Sequence, residues 1–253
     1  MIKSKTLIIA HRGASAYAPE NTLAAFQKAV DSNSDAFELD AKLTNDGEIV
    51  VIHDQSVDRT TNGTGKVKNL SLEELRKLDA GTVFSNKFNN EKIPTLREVL
   101  EIFSGQILIN IELTNYSSIF DGLAKKSAIL VKLLGVEKSV IFSSFHPINL
   151  MITRKILPEV PVALLAVPGK FGWLARSNLL RWVSPQIVHP YYKDIDRNYI
   201  EKQHKYDRKV NIWTINDEKG MERFIKAKID GLITDDPILG RKVLERNDTN
   251  KLD

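Results

Sequence analysis

Three carboxylates at the ends of short apolar runs have the residue types and spacing of a metal site. In AFELDAKL, strand alternation puts Glu38 and Asp40 on one face and apolar side chains on the other. In ILINIELT, Glu112 lies at the end of a second run. Carboxylates that share one edge repel each other, and Ca²⁺ or Mg²⁺ binds such oxygen ligands. We favour a divalent cation here, and the alternative is a counter-charge from Arg12 and Lys42.

Two histidines and an arginine accompany these carboxylates. The run TLIIA stops at His11 and Arg12, and the run EIVVIHD ends with His53 and an aspartate. Imidazole titrates near neutral pH, so such a pair can act as general acid and general base. A guanidinium can hold a phosphate through two parallel hydrogen bonds. A cation, an arginine and two histidines together suit the cleavage of a phosphoryl ester.

The remaining histidines and one tryptophan have weaker claims to a role. Trp213, near the end of KVNIWTIN, either faces the same site, where it would pack on a small polyol or a head group, or belongs to the core. His146 and His189 also end apolar runs and are secondary candidates. His204 lies in a polar helical pattern, and we expect it to be solvated.

Short apolar runs alternate with amphipathic stretches along the chain. This alternation predicts βα units around a parallel sheet. Eight or so units in 253 residues favour a closed TIM (β/α)8 barrel, and no GxGxxG turn follows the first strand, as a dinucleotide-binding fold would require. We expect strands near 6–10, 36–41, 49–52, 107–113, 138–142, 161–166, 186–189, 209–214 and 230–233, and helices over 22–32, 95–104, 117–134, 147–156, 196–206, 217–227 and 236–245.

Two stretches interrupt the alternation. Residues 54–92 are rich in Thr, Asn, Gly and charge, so we expect a small insertion after the second strand, above the carboxyl-terminal mouth of one catalytic barrel domain over 1–253. Residues 168–183 mix Phe171, Trp173 and Trp182 with basic residues. We favour a helix that covers the barrel, with both tryptophans packed. The alternative is an apolar rim for a lipid-like substrate or a membrane surface.

Composition excludes several other classes of protein. The chain has 36 Lys and Arg against 32 Asp and Glu, a net charge of +4, and no run of five basic residues, so we expect no nucleic-acid partner. No cysteine is present to form disulfides or thiolate zinc sites. No apolar run reaches the roughly 18 residues of a membrane span, and the start lacks the apolar region of a signal peptide. We therefore expect a cytoplasmic protein with at most peripheral membrane contact through 168–183, and we make no prediction of oligomeric state.

The segments that hold these candidates resemble the glycerophosphodiester phosphodiesterase family. The matching pieces follow one another in order over nearly the whole chain, which makes the likeness far more specific than a single motif. They are HRG at 11–13, PENT at 19–22, ELD at 38–40, LTNDG at 43–47, VVIHD at 50–54, RTTNGTG at 59–65, IPTLREVL at 93–100, NIEL at 110–113, SSFHP at 143–147, WTIN at 213–216 and DGLITDDP at 230–237.

The resemblance implies a TIM barrel with a small insertion after its second strand, and it implies a role for each candidate. A divalent metal would be held by three carboxylates, with two histidines as acid and base. An arginine would contact the phosphate, and a tryptophan would pack on the glycerol side of the substrate. The three carboxylates are Glu38, Asp40 and Glu112, and the two histidines are His11 and His53. The arginine is Arg12, and the tryptophan is Trp213.

One position departs from the family pattern. Where the family usually has glutamate-leucine-lysine, this chain has Glu112 followed by leucine and Thr114. A threonine donates one hydrogen bond but supplies no charge, so we expect weaker stabilisation of a phosphate. Lys42, on the same strand face as Asp40, is a candidate to compensate.

The leading hypothesis is metal-dependent hydrolysis of a small-molecule glycerophosphodiester to sn-glycerol 3-phosphate and an alcohol, by histidine acid–base catalysis. One alternative keeps the barrel but takes a lysophospholipid, in a lysophospholipase D-type reaction with the acyl chain on 168–183. A third hypothesis is a weakly active relative that binds head groups or membranes, because Thr114 replaces the usual lysine.

Overall fold

The computed structural model describes residues 6–116, 118 and 120–249, and these ranges contain nine strands and nine α-helices that mostly alternate. The strands are β1 (Leu7–Ala10), β2 (Ala36–Leu43), β3 (Ile49–Val51), β4 (Leu108–Leu113), β5 (Val140–Ser144), β6 (Val162–Ala166), β7 (Ile187–Pro190), β8 (Lys209–Ile212) and β9 (Gly231–Thr234). The helices are α1 (Leu23–Asp31), α2 (Leu72–Lys77), α3 (Leu96–Phe103), α4 (Leu123–Leu134), α5 (Pro147–Ile156), α6 (Trp173–Arg176), α7 (Arg197–His204), α8 (Glu218–Lys226) and α9 (Pro237–Thr249).

Eight of the strands close into a parallel barrel. Their order is β1, β2, β4, β5, β6, β7, β8 and β9, and β9 pairs again with β1. The predicted TIM barrel is therefore confirmed. The ninth strand, β3, pairs antiparallel with β2 and lies outside the closed ring. The run that ends at His53 is thus the return arm of a hairpin and not a barrel strand.

The apolar faces of the strands pack against the surrounding helices. Phe37 of β2 stacks on Phe26 of α1 with ring centroids 4.4 Å apart, and Phe103 of α3 meets Phe37 edge-on at 5.6 Å. All three rings are buried, and burial of each such side chain stabilises the fold by about 2–3 kcal/mol. Because Phe37 points outward, the alternating residues Glu38 and Asp40 point to the barrel interior, as the pattern predicts.

Several helices begin where the sequence indicates a cap. Thr22 accepts a hydrogen bond from the backbone at the start of α1, and Asp196 does so for α7. The helix expected over 117–134 begins only at Leu123, after the left-handed Gly122. Residues 118 and 120–122 are not helical, and 117 and 119 lie outside the described residues.

The insertion between β3 and α3 has a small core of its own. Val57, Val67 and Leu75 pack there with Ile52 and Ile93. The short helix α2 begins with a capping box between Ser71 and Glu74, which satisfies two backbone amides at its start. The insertion is thus an ordered element attached beside the barrel mouth, and not a slack connection.

The covering helix expected over 168–183 is wrong. The structure has only α6, four residues long, between two single-turn 3₁₀ helices at 169–172 and 178–180. Trp173 and Trp182 are largely exposed and are not packing residues. Across the described part of the chain, no helix combines the length and apolar character needed to cross a membrane, and the cytoplasmic location stays a prediction.

Candidate active site

A cavity of about 190 Å³ opens at the carboxyl-terminal mouth of the barrel. The side chains that line it come from strand ends and from the loops that follow them. All seven residues to which the family resemblance assigns a role are among them. The lining consists of His11, Arg12, Glu38, Asp40, His53, Asn110, Glu112, Tyr116, Phe145, Leu165, His189, Trp213 and Ile233.

Strand register brings the three carboxylates together. Asp40 of β2 is paired with Glu112 of β4, and Glu38 lies two residues earlier on the same interior face. Each carboxylate contributes one oxygen to a cluster of three oxygen atoms that all lie within 4.8 Å of one another. Asn21 fixes the middle carboxylate, since its amide donates to Asp40 Oδ2 at 2.8 Å and its own oxygen accepts from the Asp40 backbone at 3.2 Å.

Burial and mutual repulsion shift these carboxyl groups strongly. Burial raises the pKa of Glu38 well above its usual value, and the charges of Asp40 and Glu112 raise it further. The pKa of Glu112 is raised to about 8, by burial first and then by Asp40. Glu38 Oε1 is buried and has no hydrogen-bond partner among the described residues. An oxygen-only donor set with an unpartnered buried carboxylate oxygen fits a hard divalent cation.

A turn in left-handed backbone places Arg12 at the rim of this group. Arg12 has φ 56° and Gly13 has φ 79°, and a Cβ at Gly13 would lie 2.6 Å from the Ala25 backbone, so only glycine fits there. The Arg12 amide donates to Glu38 Oε2 at 3.0 Å. Its guanidinium donates to Glu20 at 2.9 Å and lies 3.4 Å from Asp40. Arg12 therefore supplies permanent positive charge beside the carboxylates.

His11 is oriented by a carboxylate from the opposite end of the chain. Its Nδ1 lies 2.6 Å from Asp235 Oδ1, just after β9. Ser15 also donates to this oxygen, at 3.1 Å, and Asn216 donates to Asp235 Oδ2. Burial alone would raise the pKa of Asp235, but the hydrogen bond and charge of His11 lower it. Because a carboxylate accepts, the proton of a neutral imidazole sits on Nδ1 and Nε2 is left for other partners.

His53 has a similar arrangement, built from the insertion side. Its Nδ1 lies 2.7 Å from Asp54 Oδ1, while Arg59 donates to Asp54 Oδ2 at 2.6 Å. The hydrogen bond from Arg59, helped by that from His53, lowers the pKa of Asp54 to about 2. Arg59 also binds Glu20, the carboxylate that holds Arg12. The insertion thus connects His53 to Arg12 through fixed ion pairs.

The position of the family's usual lysine is occupied differently here. Lys42 Nζ donates to Thr114 Oγ1 at 2.8 Å and to the Thr114 backbone oxygen at 2.9 Å. The ammonium is buried, lies 5.5 Å from the ring centroid of Tyr116, and has a pKa lowered chiefly by that burial. The Tyr116 hydroxyl in turn donates to Glu112. Lys42 therefore reaches Thr114, next to the acidic group, although Tyr116 and not Lys42 lines the cavity.

Aromatic rings form another part of the cavity wall. Phe145 packs edge-on against Tyr116 at 5.7 Å and against Trp213 at 5.6 Å. The Trp213 indole donates to the backbone oxygen of His189 at 2.8 Å, which fixes the ring at the mouth. His189 lines the cavity but is fully buried, and burial lowers its pKa to about 3, so it stays neutral.

The other two histidines lie outside this lining. His146 occupies the N-cap position of α5 without a side-chain capping hydrogen bond, and its ring centroid lies 6.2 Å from that of Tyr116. The His204 side chain is 36% exposed, so it is partly solvated as expected, but its Nε2 also lies 2.6 Å from Asp230 Oδ2, a pairing that the sequence did not predict. The pairing arises because α7 ends beside the turn before β9, a contact between segments that the helical pattern alone does not reveal.

Sequence reasoning missed the residues that hold the candidates in place. Asp54 and Asp235 each orient a histidine, Asn21 fixes Asp40, and Tyr116 binds Glu112. A signal existed for Asp54, which directly follows its histidine, and the first three lie within motifs that were noted. No pattern marked Tyr116, because its partner is set by the loop after β4.

Comparison with known proteins finds one family throughout. The model of the glycerophosphoryl diester phosphodiesterase family matches residues 11–239. The glycerophosphodiester phosphodiesterase of Caldanaerobacter subterraneus subsp. tengcongensis is 43% identical over 234 residues, which cover 92% of this chain and 95% of the relative.

Solved structures agree. A glycerophosphodiester phosphodiesterase from Agrobacterium tumefaciens is 30% identical with a TM-score of 0.80, covering 93% of this chain and 98% of that one. An Oleispira antarctica phosphodiesterase, solved in complex with its product sn-glycerol-3-phosphate, is 28% identical with a TM-score of 0.84, covering 95% and 97%.

Proposed function

The chain belongs to the glycerophosphoryl diester phosphodiesterase family and is a phosphoric diester hydrolase, and from this premise we propose that it hydrolyses glycerophosphodiesters by metal-assisted histidine catalysis. The products would be sn-glycerol 3-phosphate and an alcohol. The observation that supports this most directly is the shared cavity, which unites an acidic group, an arginine and two aspartate-backed histidines.

Glu38, Asp40 and Glu112 would hold the divalent cation, Ca²⁺ or Mg²⁺. When bound, such an ion supplies positive charge that neutralises phosphate oxygens and helps to position the substrate. The protein prepares this site by holding Asp40 with Asn21 and Glu112 with Tyr116, so that the ligand oxygens are oriented in advance.

His11 and His53 would exchange protons with the substrate. Each has Nδ1 directed at a carboxylate, which leaves Nε2 as the atom that gains or loses a proton during the reaction. One imidazole would take the proton of the attacking oxygen, from water or from the substrate's own 2-hydroxyl, and the other would give a proton to the leaving alcohol. Attack by the 2-hydroxyl would form a cyclic phosphate, which a water molecule would then hydrolyse to the monoester. The two arrangements are nearly equivalent, so each histidine is equipped to act as either acid or base.

Arg12 would contact the phosphate, and Trp213 would pack on the glycerol carbons. The Arg12 guanidinium is already fixed by Glu20, so little side-chain entropy is lost when an anion binds. The Trp213 ring is likewise fixed by its bond to the His189 backbone, and it presents an apolar surface next to the polar groups.

The test is release of sn-glycerol 3-phosphate from glycerophosphocholine and glycerophosphoethanolamine. We expect EDTA to abolish release and either Ca²⁺ or Mg²⁺ to restore it. His11→Ala and His53→Ala should each lower turnover by about 10²- to 10⁴-fold. His204→Ala is the matched control, because His204 also pairs with an aspartate but lies away from the cavity. Full turnover in both site variants would refute the acid–base assignment.

The comparisons do not favour the other two hypotheses. The relatives described above include enzymes named glycerophosphodiester phosphodiesterase, and this chain contains the three carboxylates and the two histidines that the proposal needs. Lysophosphatidylcholine in the same assay tests the lysophospholipid hypothesis. Faster turnover of lysophosphatidylcholine than of glycerophosphocholine would support that hypothesis.

A further inference from the structure

The surface formed by residues 167–182 exposes an unusual amount of apolar side chain. Six large apolar residues in this short stretch are at least 39% exposed. Phe171 is 80% exposed, Leu179 is 64%, and Trp173 and Trp182 are 59% and 61%. Exposed apolar groups scattered singly are ordinary, but such a concentration in one segment marks an interaction surface.

This surface is held in place rather than loosely attached. The Arg176 guanidinium binds Asp194 at 2.9 Å and donates to the backbone oxygens of Val167 and Gly169. The Gly169 amide also donates to Asp194, at 2.7 Å. Arg154 of α5 fixes the far end through the backbone oxygens of Trp182 and Val183. The exposed rings are therefore displayed by a fixed scaffold.

The charged residues within this segment are all basic, although Asp194 offsets Arg176 through their ion pair. Residues 160–193 contain four Lys or Arg and no Asp or Glu, although basic and acidic residues are nearly balanced over the chain, at 36 and 32. Lys170 Nζ lies 5.6 Å from the Phe171 ring centroid, so an ammonium accompanies the most exposed aromatic ring. Arg181, which lies between Leu179 and Trp182 in the sequence, stacks over the ring of Tyr206.

The surface adjoins the mouth of the barrel. It follows β6, whose Ala166 is paired with Pro190 at the end of β7, and it is bonded to Asp194 in the turn after β7. Trp213, which lines the cavity, contacts Tyr191 of that same turn region with ring centroids 5.5 Å apart. A partner that binds to residues 167–182 would therefore lie next to the entrance of the cavity.

We propose that 167–182 docks the protein on an anionic lipid bilayer. Tryptophan favours the membrane interface, where its apolar ring is buried and its N–H stays wet, and basic residues beside it are attracted to anionic head groups. A second copy of this chain fits less well, because a symmetric pairing of the surface would set positive charge against positive charge. The proposal is independent of the reaction in the cavity.

The experiment is co-sedimentation of the full chain with vesicles of phosphatidylcholine alone and of phosphatidylcholine with 30% phosphatidylglycerol. We expect binding to the anionic vesicles, weaker binding at high salt, and a blue shift of tryptophan fluorescence. W173S/W182S should weaken binding at least tenfold without changing hydrolysis of soluble glycerophosphocholine. I129S/L133S is the matched control, since these α4 residues are 47% and 70% exposed on another face, and it should bind normally.

Three results would overturn the proposal. They are no binding to either vesicle type, equal loss of binding in the control variant, and a dimer in light scattering that W173S/W182S dissociates. The last would assign the surface to a second copy of this chain. If the wild-type chain does not hydrolyse soluble substrate, the proposed function is refuted. The vesicle experiment still tests the membrane proposal in that case.

Discussion

Asp235→Asn is the sharpest test of how the candidate site orients His11, one of the two imidazoles proposed to act as acid and base. Asp235 lines up His11 through a 2.6 Å contact to Nδ1 and is itself held by Ser15 and Asn216. Asparagine has nearly the same shape, so both of these neighbours can keep a partner. The substitution removes the negative charge, and its amide can donate to Nδ1 and move the imidazole proton to Nε2.

The size of the effect follows from this contact. A hydrogen bond to a charged group contributes about 1.5–3 kcal/mol, so its loss alone lowers the rate by roughly 10- to 100-fold. A proton moved to Nε2 removes the lone pair that a general base needs, or misaligns a general acid. We therefore expect kcat to fall by about 10²- to 10⁴-fold, within the range for loss of acid–base catalysis. KM should change little, because Asp235 does not line the cavity.

The assay is steady-state release of sn-glycerol 3-phosphate at saturating metal, with thermal unfolding as a check of folding. Asp230→Asn is the matched control, because Asp230 pairs with His204 over the same 2.6 Å distance, away from the cavity. Its kcat per folded protein should be that of the wild type. A wild-type kcat for Asp235→Asn, or an equal fall in both variants, would refute the orienting role.

Three further predictions concern the same region. Lys42→Met should lower kcat/KM about tenfold by removing the charge beside Thr114, and adding Thr114→Lys should restore part of it; steady-state kinetics of the single and double variants show whether the two positions compensate. In metal-free protein, the pKa of Glu112 is raised to about 8, so the folded state keeps a proton that the unfolded state loses above about pH 4.5. Denaturant titrations should therefore show the free energy of unfolding falling by about 3–5 kcal/mol between pH 5 and 8. Added metal should stabilise the protein most at pH 8. Gly13→Ala should cost about 2 kcal/mol or more in thermal unfolding, because its Cβ would meet the Ala25 backbone.

Hydrophobic periodicity was sufficient to predict the barrel and most of its elements. Eight apolar runs became parallel strands, because both faces of a barrel strand are buried and the runs are short. The direction of the ninth run was not predictable in this way. An antiparallel return from β2 to β3 depends on the turn at 44–48, where Thr44 and Glu48 pair, and the run IVV itself is the same for either direction.

The segment 168–183 shows where burial cannot be read from residue type. Its tryptophans and leucines have the composition of a covering helix, which led to the wrong expectation. In the structure this segment instead forms short helical turns, which the ion pair between Arg176 and Asp194 holds in place. These two residues lie 18 residues apart, and a pattern of apolar spacing carries no information about their ion pair.

The sequence identified a set of candidate residues that line one cavity, but not the geometry in which they meet. Strand alternation placed Glu38 and Asp40 on one face, and the register that pairs Asp40 with Glu112 could be guessed only from the barrel. The partners of each histidine depend on chain segments that are far apart, such as Asp235, which lies 224 residues from His11. Such contacts follow from closure of the barrel between β1 and β9.

The two histidines reach one cavity by different routes, and this gives the insertion a place in the site. His11 stands at the end of a barrel strand, so the barrel alone positions it. His53 arrives on the hairpin, and its orientation depends on Asp54 and on Arg59 from the insertion. Because Arg59 also binds Glu20, which holds Arg12, a disturbed insertion would misplace a histidine and the arginine together. The small core of the insertion therefore stabilises the geometry of the candidate site as well as its own fold.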